Sequence, residues 1–334
     1  MYKNLRMKTI RIIPALLLAP LAILLTGCPK SPNPVAPQPD TELQSSVDAS
    51  YALLCITDAE MITSFAAEGD DTPDFYMQGP GSPGILLPIQ NIDADFLHLN
   101  FNVTDCLDGK HRDGTVHLER SVNQAYNPYA NGNSRYYRRF GFAGRLTFSS
   151  YMVNGWEMIT TNADNTHDGD ECVILNRLTK ENYDPATTNL SWSIKGGFKF
   201  TKGDETMFLN VDLVKTLVNT NDPSVFPASK TAIQWRNATV AYSGKVTGFT
   251  KGHVPFTMTI NEDKPLTRDF KCAPYSSETP GFHPFINGVA YFNTADLYQR
   301  EIYYGGSESA GQGQCDNSGA IAIKGISYPV DFTK

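Results

Sequence analysis

The chain has 334 residues, of which 41% are hydrophobic and 19% charged, with a formal net charge of −7. That apolar content is enough for a real core and excludes a wholly disordered chain, while 26 Gly and 21 Pro exclude a collagen-like or low-complexity one. The negative balance argues against a general nucleic-acid binder, whose surface is basic.

Residues 1–27 stand apart from the rest. Lys3, Arg6, Lys8 and Arg11 form a basic start, and an apolar run from Ile12 to Leu25 follows, broken by Pro14 and Pro20. This is the layout of a signal peptide, too short and too proline-interrupted for a membrane span. It ends in Leu25-Thr26-Gly27-Cys28, a bacterial lipobox pattern. Cleavage before Cys28 leaves a thiol to carry a diacylglycerol and an amine to carry an acyl chain, and several chains on one residue anchor stably. Removal of residues 1–27 takes away four basic side chains and no acidic one, which lowers the formal charge to −11. Such a chain is repelled by anionic headgroups, so the lipid on Cys28 must hold it at the membrane. Position 29 is Pro rather than the Asp that retains lipoproteins at the inner membrane, so the outer membrane is the expected address. The sequence leaves open whether the periplasmic or the surface leaflet holds it.

Residues 28–44 read as the lipidated Cys followed by a proline-rich tether, extended and solvated. Ser45 with Asp48 three residues on is a capping-box pattern. Val47, Tyr51, Leu54, Cys55, Ile62 and Phe65 recur at helical spacings, which predicts an amphipathic helix over about 46–67, with Gly69 as its stop. Asp70 to Pro88 is a Gly-, Pro- and Asp-rich connection. From about residue 95 the period changes to two. Leu97, Leu99, Phe101 and Val103 alternate with polar residues, as do Trp192, Ile194, Phe198 and Phe200 around Gly196. Met207, Leu209, Val211 and Leu213 repeat the pattern, then Phe256, Met258 and Ile260, then Ile321 and Ile323. Each predicts a strand with one buried and one wet face. Asp108-Gly109, Asn154-Gly155, Lys202-Gly203-Asp204 and Lys251-Gly252 are the turn signals, and Asn154-Gly155 is a strong hairpin signature. The rhythm runs on without a linker. Residues 45–334 are therefore expected to form a single, mainly β domain. It would be a large curved antiparallel sheet, half-barrel or sandwich-like, with one N-terminal amphipathic helix.

Several phrases occur in a telling order: NVTDCLDGKHRDGTVHL (102–118), FSSYMVNGWEMITTN (148–162), AYSGKVTGFTKGHVPFTMTI (241–260), RDFKCAP (268–274) and GQGQCDNSGAIAI (311–323). Together they resemble a family of uncharacterised, β-rich lipoproteins of the Bacteroidota. The matching positions are Cys106 with Asp108, Gly109, Arg112 and Gly114, then Cys272 with Pro274, then Gly313, Cys315, Asp316 and Asn317. The likeness spans roughly 45–330. The chain departs from the family at 81–92, where a further Cys is usual and none is present. The resemblance implies a lipoprotein and its fold, and no activity.

An exported chain can form disulfides. Setting Cys28 aside leaves five cysteines, so at least one is unpaired or pairs with another molecule. Cys272 with Cys315 is the first expectation, since closing a loop of about forty residues stabilises by roughly 3–4 kcal/mol. Cys55 with Cys106 is the second, which makes Cys172 a buried thiol. No two cysteines lie at CxxC spacing, so a zinc site has no support.

Other constellations offer little chemistry. Asp164, Asp168, Gly169, Asp170 and Glu171 partly resemble a calcium loop, but its twelfth position is Leu175, so a solvated loop is expected. None of the six histidines (His98, His111, His117, His167, His253, His283) forms HxH or HExxH, and surface positions are expected for His98, His111 and His253. Gly305-Gly306-Ser307 and Ser309-Ala310-Gly311 do not make a nucleophile elbow. There is no phosphate-binding loop or dinucleotide fingerprint, so no cofactor is expected. Trp156, Trp192 and Trp235 are expected in the core, while Tyr136, Tyr137, Tyr303 and Tyr304 are candidates for a stacking face. The RYYRRF stretch at 135–140 mixes charge and rings, but the acidic balance speaks against nucleic acid.

The expectation is a lipid-anchored envelope lipoprotein with a non-enzymatic binding or structural role and an envelope protein or glycan as partner. Two alternatives stand beside it. One is a lipid or lipoprotein carrier whose helix caps an apolar cavity. The other is a hydrolase with a carboxylate pair that sequence does not locate.

Overall fold

The computed structural model describes residues 41–68, 96–105, 110–119, 137–162, 172–178, 189–225, 233–272, 285–295, 298–305 and 318–332. The expected signal peptide, Cys28, the tether up to residue 40, Cys106, the acidic loop and Cys315 lie outside them, while 41–44, expected as the end of the tether, are helical. Among the described residues of the unit Asp40–Lys334 there are one long helix and fourteen strands, all in one antiparallel sheet. The helix α1 spans Thr41–Glu68. The strands are β1 (Phe96–Asp105), β2 (His111–Glu119), β3 (Ala143–Val153), β4 (Trp156–Thr161), β5 (Cys172–Asn176), β6 (Ser191–Lys202) and β7 (Glu205–Leu217). They continue with β8 (Thr239–Phe249), β9 (Pro255–Ile260), β10 (Leu266–Asp269), β11 (Val289–Thr294), β12 (Arg300–Tyr304), β13 (Ser318–Ile323) and β14 (Ile326–Asp331).

The main path runs β1-β2-β3-β4-β6-β7-β8-β9-β11-β12-β13-β14. Two places in it are each filled by a pair of short strands set end to end. Between β3 and β6, β5 pairs with Ser193 and Ile194 while β4 pairs with Phe198 and Phe200. Beside β8, β10 pairs with Val240 and Tyr242 while β9 pairs with Gly244 to Phe249. Glycine marks both changeovers. A Cβ on Gly196 would lie 2.7 Å from Cys172 Cα. Gly244 has φ +129°, and a Cβ there would lie 2.3 Å from the Asp212 carbonyl oxygen. A side chain at either position would force the strands apart.

Two of the expected turns form tight hairpins, and Asp108-Gly109 lies outside the described residues. Val153 pairs with Trp156 across Asn154 (φ 51°) and Gly155 (φ 79°), a two-residue turn with both residues left-handed. Lys202 pairs with Glu205 across Gly203 and Asp204. Alternation in β7 buries Met207, Leu209, Val211 and Leu213 inward, and its outward residues include Asn210 and Asp212.

The helix differs from expectation in two ways. It begins at Thr41, so Ser45 lies inside its first turns and its hydroxyl donates to the Glu42 carbonyl at 3.1 Å rather than capping. It is also not two-faced: all thirteen residues from Ala52 to Ser64 are buried, which covers every direction around the axis. The sheet supplies the reason, because it curls around the helix. One carboxylate, that of Asp58, is reached both from the start of β2 and from β10. Those strands are six steps apart, about 29 Å along a flat sheet. They meet at one side chain only if the sheet rolls up. A 28-residue helix runs about 42 Å and a 13-residue strand such as β7 about 44 Å, so the helix matches the longest strand in length. Small residues (Ser46, Ala49, Ser50, Ala52, Ala59) let the strands approach closely. Buried hydroxyls turn back onto the helix, with Ser50 donating to Ser46 O at 2.8 Å and Thr63 to Glu60 O at 2.7 Å, so they cost little inside the core.

Candidate functional site

The interior is not uniformly apolar. Inward strand positions carry Arg112, Lys215, Arg268 and Arg300, and Lys110 lies just before β2; all five are 2% exposed or less. They converge on helix α1 and form three groups along it.

The central group surrounds Glu60. Lys215 Nζ donates to Glu60 Oε1 and Oε2, each at 3.1 Å, and also lies 3.1 Å from the Tyr137 hydroxyl. Ser64 donates to Oε1 at 2.6 Å, Tyr137 donates to the same oxygen, and Tyr242 donates to Oε2 at 3.4 Å. The Lys215 ammonium sits over three rings: Tyr137 and Trp235 at 4.9 Å and Trp192 at 5.4 Å. Tyr137 stacks on Trp192 with centroids 4.4 Å apart, and its carbonyl accepts from Trp192 Nε1 at 2.8 Å and Asn176 Nδ2 at 3.0 Å. A buried cation is thus held by one carboxylate and an aromatic cage. Burial, and then the Glu60 charge, push the Tyr137 hydroxyl well above the usual phenol range.

The second group surrounds Asp58. Arg268 Nη1 donates to Oδ1 at 2.5 Å and its Nη2 to Thr57 at 3.4 Å, Lys110 Nζ contacts Oδ2, and Arg112 Nη2 lies 3.6 Å from Oδ2. Burial, with Arg112 and Arg268 alongside, pushes Lys110 well below the ordinary lysine range. The third group ties the helix start to β12. Arg300 donates to Glu42 O at 2.9 Å, Ser45 Oγ at 3.0 Å and Thr294 Oγ1 at 2.9 Å, with its guanidinium 4.5 Å from the Phe292 ring. Near one rim, Lys251 adds a half-exposed bridge to Asp48 at 3.2 Å and Glu205 at 3.0 Å, over Trp156 at 4.8 Å.

Chemically this arrangement positions the helix. Asp58 and Glu60 are two residues apart on the helix, bound by different strands, and both are buried. They do not face each other across a cleft as a glycosidase pair does. Among the described residues no group of three His, Cys, Asp or Glu is placed to hold a metal ion. No family model, curated protein or solved structure matches the chain.

The residues singled out in the sequence fall as follows. Cys272 is disulfide-bonded, and its partner lies outside the described residues. Cys55 is a buried thiol on the helix and is not in a disulfide, which corrects the pairing with Cys106. The reason is its place: it sits fully buried on the helix, inside the rolled sheet. Cys172 is a buried thiol as expected, raised by burial. The three tryptophans are core residues, and so are Tyr137 and Tyr304; Tyr303 is half-buried with its hydroxyl on Glu301. Of the proposed stacking face, therefore, Tyr303 alone of the described tyrosines keeps an outward ring. Arg138 of the 135–140 stretch is buried and Arg139 exposed. His111 and His253 are exposed, and His98 is exposed on the polar face of β1.

The interior charges were missed. A signal for them is present, because Lys215 continues the phase of Met207, Leu209, Val211 and Leu213, and Arg268 that of Leu266. A charge in the buried phase of a strand demands a partner across the interior.

Proposed function

We propose that the chain is a lipid-anchored envelope protein of the Bacteroidota lipoprotein type it resembles, held at the outer membrane through Cys28. Its helix-filled sheet serves a non-enzymatic binding or structural role toward an envelope protein or glycan. The observation that carries this reading is the helix itself. Buried on every side from Ala52 to Ser64 and bolted by Lys215, Arg268 and Arg300 from three strands, it occupies the place a carried lipid would need. Recognition then falls to the outer surface. The outward positions of the central strands support this, carrying residues such as Lys195 and Asp212, paired at 3.0 Å and well exposed.

Native mass spectrometry of residues 40–334, the whole compact unit, produced in the cell's own periplasm, tests the filled interior. The expected mass is that of the bare chain, less the hydrogens lost to disulfides. A bound mass of several hundred daltons, released on denaturation, overturns it in favour of a carrier. Replacement of Cys28 by Ser should release the chain from the membrane fraction, and retention there would refute the anchor.

A further inference from the structure

The outer face of the first two strands carries a feature that the interior does not explain. In the β1–β2 ladder His98 stands directly opposite His117. Leu97, Leu99 and Val116, Leu118 point into the core, so the two imidazoles share the solvent side. Their rings meet edge to face at 4.7 Å, with Nδ1 of one 2.5 Å from Nδ1 of the other. Two ring nitrogens aimed at each other hold one proton between them, or one metal ion. The backbone has already brought both donors together, so little ordering is left to the binding step.

The pair is set closer than a bound metal ion would hold it, so the rings must turn apart to admit one. Two nitrogens about 2.0 Å from a metal are about 2.8 Å apart in adjacent square-planar positions and about 3.3 Å apart in a tetrahedron. The observed separation of 2.5 Å lies nearer the former, and a small rotation of either ring widens it to that bite. Affinity of imidazole sites along the first-row divalent metals also peaks at copper. Neighbours on this face are neutral or compensated. Thr147 stands opposite His117 on β3, Thr115 donates to Asn100 at 2.7 Å, and Glu119 is bridged to Arg145 at 3.4 Å.

We propose that His98 and His117 form a two-imidazole site for a divalent copper ion on the outer face of the sheet, the remaining positions being filled by water. The site is independent of the interior network and of the role proposed above.

The test is a titration of the mature, metal-stripped lipoprotein with Cu2+, followed by calorimetry and by electron paramagnetic resonance. The expected result is one Cu2+ per chain with two imidazole nitrogens in its equatorial plane. His98→Thr and His117→Thr, which suit a strand and face solvent, should each weaken binding by about tenfold or more. His111→Ala and His253→Ala should leave it unchanged. Zn2+ should bind less tightly than Cu2+. Wild-type affinity in either threonine variant, tighter binding of Zn2+ than of Cu2+, or no nitrogen coupling in the spectrum would each overturn the site. Circular dichroism of the variants separates loss of ligand from loss of fold.

Discussion

Replacing Glu60 by Gln keeps the volume of the side chain and removes the carboxylate that, among the described residues, pairs with Lys215. The amide cannot neutralise an ammonium that is fully buried and 3.1 Å from both oxygens of the native carboxylate. Two routes remain. The cation stays charged, and breaking a buried pair in this way costs about 3–5 kcal/mol, offset in part by the three rings around it. Alternatively it sheds its proton, which for a lysine at pH 7 costs about 4.6 kcal/mol. Both routes give a loss of about 3–5 kcal/mol, or about 6–10 °C in Tm for a domain of this size. The second carries a signature. The folded lysine is then neutral while the unfolded one binds a proton, so the variant's stability rises with pH by about 1.4 kcal/mol per unit toward the ordinary lysine range. Urea unfolding followed by tryptophan fluorescence reads this directly, because Trp192 and Trp235 form the cage. Adding Lys215→Met to Glu60→Gln should restore most of the loss, since an apolar side chain removes the stranded charge. A loss below about 1 kcal/mol for Glu60→Gln, or a double variant as damaged as the sum of the two singles, would refute the lock.

Alkaline pH should unfold the chain from inside. Burial holds Tyr51, Tyr137 and Tyr304 above the ordinary phenol range, so their stabilisation is intact below pH 10 and falls above it, at about 4 kcal/mol per pH unit for three groups. Tyrosinate absorbance from these groups should appear together with loss of circular dichroism, and its appearance in a still-folded chain would contradict their burial. Cys55 and Cys172 should resist thiol reagents in the native state and react once denaturant is added, and labelling of either in the native chain counts against the packed interior. Gly196→Ala should destabilise by about 1–3 kcal/mol through the β5–β6 contact, because the added Cβ would lie 2.7 Å from Cys172 Cα. A neutral result in chemical denaturation would show that the strands separate there at no cost.

The strands were legible because their alternation is local. Met207 to Leu213, Phe256 to Ile260 and Ile321 to Ile323 each announce a half-buried strand without reference to anything distant. Asn154-Gly155 likewise fixes its hairpin by its own backbone preference. The closure of the sheet was not legible, because no local pattern says that β2 and β10 share one partner. That knowledge also decides the helix. Its apolar residues at three-, four- and seven-residue spacings suggested one buried face, yet the residues between them, Ser50, Thr57, Asp58, Glu60 and Ser64, are buried as well. A helix inside a rolled sheet has no solvent side, so polar residues there signal facing partners rather than water. The strand charges complete the inference. Lys215 and Arg268 occupy inward phases that only an opposing carboxylate makes tolerable, and Glu60 and Asp58 occupy helix positions that only an inward cation makes tolerable. Each half looks like an exception in its own segment. Taken together they place the helix within the sheet, which a single-segment reading of periodicity cannot do.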